Sequence, residues 1–145
     1  MYKDILIAVD LDPDDPGLRL TETAVELAKA MGATLHVMTV VPDFGMSIVG
    51  GYFPDGYEEE AIEESRKRLH AFTAEKVPAG VPVQHIVGHG GIYREILRAA
   101  AEIGADLIVV GSHKPELSDY LIGPNAAQVM RHATCSVLVV RAKRG

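Results

Sequence analysis

Between residues 109 and 141 the chain reads VVGSHKPELSDYLIGPNAAQVMRHATCSVLVVR, a stretch with the residue types that hold a phosphate. Gly111 lets backbone approach a ligand closely. Ser112 offers a hydroxyl and Lys114 a mobile cation. Gly123, Pro124 and Asn125 lead into a helical pattern. Asn125 is a good N-cap, and amides at a helix start attract anions. The same residues also make ordinary loops, since a glycine after a strand is common turn punctuation. Spacing alone leaves both readings open. The pattern is neither a P-loop nor GxGxxG, because neither motif occurs.

Other groups invite other chemistry. DLDPDD after the first apolar run contains Asp10, Asp12, Asp14 and Asp15, as a Mg²⁺-binding phospho-acceptor site would. Such a site also needs an aspartate ending the third strand and a lysine ending the fifth. The third ends in VGHGG and the fifth runs to the chain end, so the reading is rejected. Asp10 is kept as a ligand-facing candidate, and the other acids read as turn and cap residues. Six histidines raise the question of a metal, but HxxxH, HExxH and a cysteine cluster are all missing, and no metal site is assigned. His36 and His85 fall within strands. His89 and His113 are placed to face a common crevice. GHGG at 88–91 is either a second anion site or a plain turn. No Ser-His-Asp or paired-carboxylate arrangement stands out, so no catalytic residue is assigned. The single cysteine, Cys135, reads as a packed thiol.

These residues need elements to position them. ILIAV at 5–9, LHVMTVV at 35–41, VPVQHIV at 81–87, DLIVV at 106–110 and SVLVV at 136–140 read as strands. Several are nearly continuous in Val and Ile, as in strands buried on both faces. Helical spacing falls between them. Leu20, Ala24, Leu27, Ala28 and Met31 share one face, ended by Gly32. Ile62, Ser65, Leu69 and Phe72 share another within 57–76, behind an acid-rich first turn. Ile92, Ile96, Ala99, Ala100 and Ile103 repeat the pattern before Gly104. A short helix spans roughly Asn125 to His132. Strict alternation predicts a single-domain α/β fold over residues 1–145, an open parallel five-stranded sheet with helices on both faces. In the order 3-2-1-4-5 the strand order reverses between strands 1 and 4, and ligands bind beyond the carboxyl ends there. That brings the loop after strand 1, the end of strand 2 and the 111–125 stretch together. The irregular segment 42–56 reads as a lid or partner loop.

The totals narrow the partners. A chain of 145 residues suits one domain. A net charge of −6 and a pI near 5.4 argue against nucleic acid and anionic membranes. Trp is absent, so no stacking platform for single strands is expected. One cysteine fits a reducing compartment, and no apolar run approaches the roughly 20 residues of a membrane helix. A cytoplasmic protein is expected.

Taken together, ILIAVD, ATLHVMTVV, GADLIVVGSH and RHATCSVLVVR resemble the successive strands of the universal stress protein family. Residues 109–141 resemble its C-terminal signature of Gly, two residues, Gly, nine residues, Gly and Ser or Thr. The resemblance covers the whole chain. It implies an adenine nucleotide alpha hydrolase-like fold, a homodimer and, in many members, ATP in the crevice. ATP with Mg²⁺ is the implied ligand, with AMP or ADP as further ones. Carried over by position, Ala8 and Asp10 line the adenosine side and the Val40 main chain meets the adenine edge. Val110 and Gly111 lie under the ribose and α-phosphate. Ser112, His113, Gly123, Pro124, Asn125 and Ala126 hold the phosphates. This sequence departs from the signature at two places. Lys114 stands for the second glycine, with Gly123 one residue early, and Pro124 stands for the Ser or Thr. Lys114 and Asn125 are the natural replacements for the lost donors. The expected function is an ATP-binding stress-response module without strong catalysis, dimeric through edge strand 136–141, with a protein partner of unstated identity. The alternatives are a dimeric family member without nucleotide and a slow ATPase or autokinase.

Overall fold

The computed structural model describes residues 1–11, 18–41, 57–111 and 124–141. The elements run β1 (Asp4–Ala8), α1 (Leu18–Met31), β2 (Thr34–Val41), α2 (Tyr57–Lys76), β3 (Val83–His89), α3 (Ile92–Ile103), β4 (Leu107–Gly111), α4 (Pro124–His132) and β5 (Ser136–Val140). The five strands form one sheet in the order β3-β2-β1-β4-β5, and every pair is parallel. This is the expected architecture. β3 begins two residues later than the apolar run, at Val83. Pro82 has no amide to give a ladder, and serves instead as acceptor for the Leu35 N–H at 2.8 Å.

Strand alternation divides the core into two layers. Ile5, Ile7, Leu35, Val37, Leu107 and Val109 meet Leu20, Ala24, Val25 and Ala28 of α1 and Leu69 of α2. Leu6, Met38, Ile108 and Val110 face the opposite way, onto Ile96, Ala99 and Ala100 of α3 and Ala126 and Val129 of α4. α2 is highly charged. Among its described side chains only Leu69 and Thr73 are buried, so its attachment depends heavily on Leu69. Truncating such a residue to Ala costs about 2–5 kcal/mol.

Two residues expected on buried faces are exposed. Met31 is 37% and Ile92 46% accessible. They are the last residue of α1 and the first of α3. In α1 the buried stripe is Leu20, Thr21, Ala24, Val25 and Ala28, so Thr21 and Val25 join the expected face while Leu27 is only half-buried. Gly104 ends α3 with φ at +67°, the left-handed conformation that glycine takes without strain.

Candidate functional site

β1 stops short of both its neighbours. Its last partner on β2 is Met38, opposite Ala8, while β2 continues through Thr39, Val40 and Val41. Its last partner on β4 is Val109, opposite Ile7, while β4 continues to Gly111. The result is a notch at the carboxyl end of β1, at the point where the strand order reverses.

The main chain around this notch follows from strand parity. Thr34 N–H donates to Lys3 O at 2.9 Å, and Met38 O accepts from Val9 N–H at 2.8 Å. Even-numbered β2 residues thus turn their peptide groups toward β1. Leu35 and Val41 turn theirs toward β3, where Val41 O accepts from Gly90 N–H at 2.9 Å. Val40 has the parity of Met38 and lies past the last pairing, so its peptide groups are directed at the notch. On the other wall, Asp106 N–H donates to Asp4 O at 3.0 Å. By the same parity the Val110 main chain is turned toward β1 and that of Gly111 toward β5.

The side chains add small apolar surface and one carboxylate. Ala8 and Val40 are half-buried, Val110 is buried, and Gly111 and Asp10 are exposed. α4 begins after β4 with Pro124 exposed, Asn125 half-buried and Ala126 buried against the second core layer. Pro124 is the first helical residue, so Asn125 lies inside the first turn and is not the N-cap expected from the sequence. Proline suits that position because its missing N–H would have had no helical partner. The amides of Asn125 and Ala126 belong to the first turn, where N–H groups have no partner within the helix. Ser112, His113, Lys114 and Gly123 lie outside the described residues, as do Asp12, Asp14, Asp15 and the segment 42–56.

The GHGG turn has its own anion. Glu95 of α3, nearly buried, accepts the His89 N–H at 3.2 Å and an Arg98 N–H at 3.0 Å. Its carboxylate lies against Gly88, where an added Cβ would come within 3.2 Å of Oε1. The turn is therefore a structural seat for Glu95, a partner that no local motif announced. Three histidine side chains have other partners. His36 Nε2 is 2.9 Å from Asp4 Oδ1 near the beginning of β1. His85 packs against α2. His89 Nε2 is 3.7 Å from Glu58 Oε1. Among the described residues no three His, Cys, Asp or Glu side chains come together as a metal site. Burial, with the nearby Asp106 charge, pushes the Cys135 thiol up, which disfavours the thiolate.

As a chemical environment, the described part of the notch offers peptide groups on two walls, aliphatic surface and a carboxylate at its mouth. That combination suits a flat heterocycle with hydroxyls. The start of α4 suits an attached anion.

The Universal stress protein family model matches residues 1–141. Universal stress protein G of Escherichia coli O157:H7 is 31% identical over 146 residues, covering 97% of this chain and 100% of that protein. A solved protein from the universal stress protein family of Burkholderia pseudomallei superposes with a TM-score of 0.68 at 29% identity, covering 97% of each chain. A crystal structure of a universal stress protein in complex with cAMP gives a TM-score of 0.61 at 23% identity, covering 98% of each chain.

Proposed function

The chain belongs to the universal stress protein family, and we propose that it is an ATP-binding regulatory module of the stress response. The observation that carries this reading is the notch at the end of β1, with the Val40 and Val110 main chains turned toward it. Adenine presents donors and acceptors on one edge and would pair with the Val40 peptide groups. Ala8 leaves room beside the ring, and Asp10 is within the strand-end segment that meets the sugar. Val110 and Gly111 lie under the ribose and first phosphate. The remaining phosphates are assigned to Ser112, His113, Lys114, Gly123 and the first turn of α4 from Pro124 to Ala126. Mg²⁺ would accompany ATP as counter-ion to its phosphates. The cAMP held by one relative supports an adenine nucleotide on this fold, and at 23% identity its weight is that of the fold.

A second reading keeps the family and drops the nucleotide. Pro124 removes one amide from the helix start, and Lys114 stands where the family has glycine. The protein would then act through a homodimer pairing strand 136–141 and through a protein partner. In both readings residues 1–145 act as one domain and work in the cytoplasm. No helix among the described residues is long and apolar enough to cross a membrane.

Mass spectrometry of nucleotide released from the purified protein, with calorimetry of ATP, ADP, AMP and adenosine, separates the readings. The first expects bound adenine nucleotide. Binding of none of the four would establish the second. A Lys114→Ala variant should lose ATP affinity by about 1–3 kcal/mol, the scale of a charge-assisted hydrogen bond, and keep adenosine affinity. Pro124→Ser should tighten ATP by restoring an N–H and a hydroxyl. Phosphate release above that of the Lys114→Ala variant would mark slow ATP turnover.

A further inference from the structure

One contact between the proposed ligand edge and the body of the protein comes from α2. Arg68 donates a guanidinium N–H from Nη2 to the carbonyl of Leu11. Leu11 follows Asp10 directly, and its half-buried side chain packs on the first core layer. The last sheet contact before it is the Val9 N–H to Met38 O. Beyond Val9 the chain has left the sheet, and Arg68 takes hold of it two residues later.

The tether has a firm base. Arg68 is next to Leu69, which is wholly buried and anchors α2 in the core. A guanidinium donating to a carbonyl is a charge-assisted bond, stronger than a neutral pair. Arg68 is exposed, so its charge needs no desolvation, and the contact adds order to the segment more than stability to the fold.

We propose that Arg68 is a positioning residue: its bond to the Leu11 carbonyl holds Asp10 and Leu11 at the mouth of the notch and so sets affinity for the nucleoside part of the ligand. The proposal rests on the adenine-nucleotide reading. Without the tether the segment samples other conformations. Apparent affinity falls by the fraction of time that it is competent. The loss belongs to the nucleoside side, so adenosine and ATP should suffer alike. An arginine that touched phosphate directly would cost ATP alone.

The test uses the full chain with Arg68→Gln and Arg68→Lys. Backbone order parameters at Asp10 and Leu11 are measured by NMR on the free protein, and adenosine and ATP affinities by calorimetry. In Arg68→Gln the order parameters should fall from about 0.85 toward about 0.6. Both ligands should weaken equally, by roughly tenfold. Lysine, which retains a cationic donor, should recover part of both effects. Unchanged order in Arg68→Gln overturns the proposal. So does reduced order with unaltered adenosine affinity, or a loss confined to ATP. A wild type that binds neither ligand overturns the nucleotide reading and the affinity role together. The order parameters then decide the tether itself.

Discussion

His85 on β3 and His70 on α2 stack face to face, with ring centroids 3.7 Å apart and planes inclined by 23°. Thr73 joins them. Its hydroxyl donates to the His70 carbonyl at 3.1 Å and lies 2.7 Å from His85 Nε2. A hydroxyl whose proton is already committed can only accept, so neutral His85 carries its proton on Nε2. Burial first, and the charge on His70 second, hold His85 below the ordinary histidine value.

That depression fixes the sign of a pH effect. The unfolded chain takes up the His85 proton more readily than the folded one. The contribution to stability is thus complete above the ordinary value of 6.5 and is lost as pH falls through the folded value. Thermal melts of wild type from about pH 8 to about pH 5 should show a decline in Tm that His85→Gln reduces. Parallel declines in the two proteins would remove His85 as the cause.

Asp106 ties β4 to the beginning of β1. Its carboxylate accepts the Lys3 N–H at 2.9 Å and the Asp4 N–H at 3.1 Å. Burial pushes this carboxyl up. The amides of Lys3, Asp4 and Asp106 itself, with the N-terminal ammonium, pull it further the other way, so it stays below its ordinary 3.8. Its contribution is present above that value and lost as pH falls through the folded one. Asp106→Asn should cost about 1 kcal/mol in urea denaturation near neutrality, less than is usual for bonds to a charged group because the site is open to water. The difference from wild type should shrink toward about pH 3. A constant difference would mean that the charge is irrelevant.

The layering of this fold was legible because its strands are continuous Val and Ile runs and its helices carry small apolar residues at helical spacing. Ala24 with Ala28 and Ile96 with Ala99 and Ala100 are buried as that spacing requires. Met31 and Ile92 break the pattern at the two helix ends, because periodicity says which face a side chain is on and not what packs against that face there. At the site, the role of the Val40 main chain came only from the family resemblance, and the reason its peptide groups face the notch, the parity of the β1–β2 pairing, became visible in the structure. Glu95 at His89 and Arg68 at Leu11 were illegible. Each joins a long side chain to a peptide group, and in the Arg68 case the partners are 57 positions apart with no spacing rule between them.

Gly88 is small for a definable reason. A Cβ there would sit 3.1 Å from Glu95 Cβ, 3.2 Å from Glu95 Oε1 and 3.2 Å from Met38 Cε. Met38 is wholly buried and has little room to retreat. Gly88→Ala should destabilise by about 1–3 kcal/mol, the usual cost of overpacking, as read by chemical denaturation. Combining it with Glu95→Ala should recover part of that loss, since the carboxylate stem is then gone. An Ala variant as stable as wild type would show that the neighbours give way freely.

The proposed dimer turns on β5, which lies at one edge of the sheet. Val137 and Val139 of this strand pack half-buried against the second core layer of their own chain. Val140 leans on the first layer. Leu138 is the exposed apolar side chain of the strand, at 37%. An edge that keeps such a residue in water invites a second copy, which would meet it antiparallel about a two-fold axis. Leu138→Asp is therefore a cleaner probe than Val139→Asp, which would drive a carboxylate into the core. Light scattering should give wild type twice its chain mass of 15.6 kDa and Leu138→Asp the single-chain mass, with Tm measured alongside to show that the variant is folded. A wild type already monomeric at micromolar concentration ends the proposal. A variant that stays dimeric moves the interface off β5.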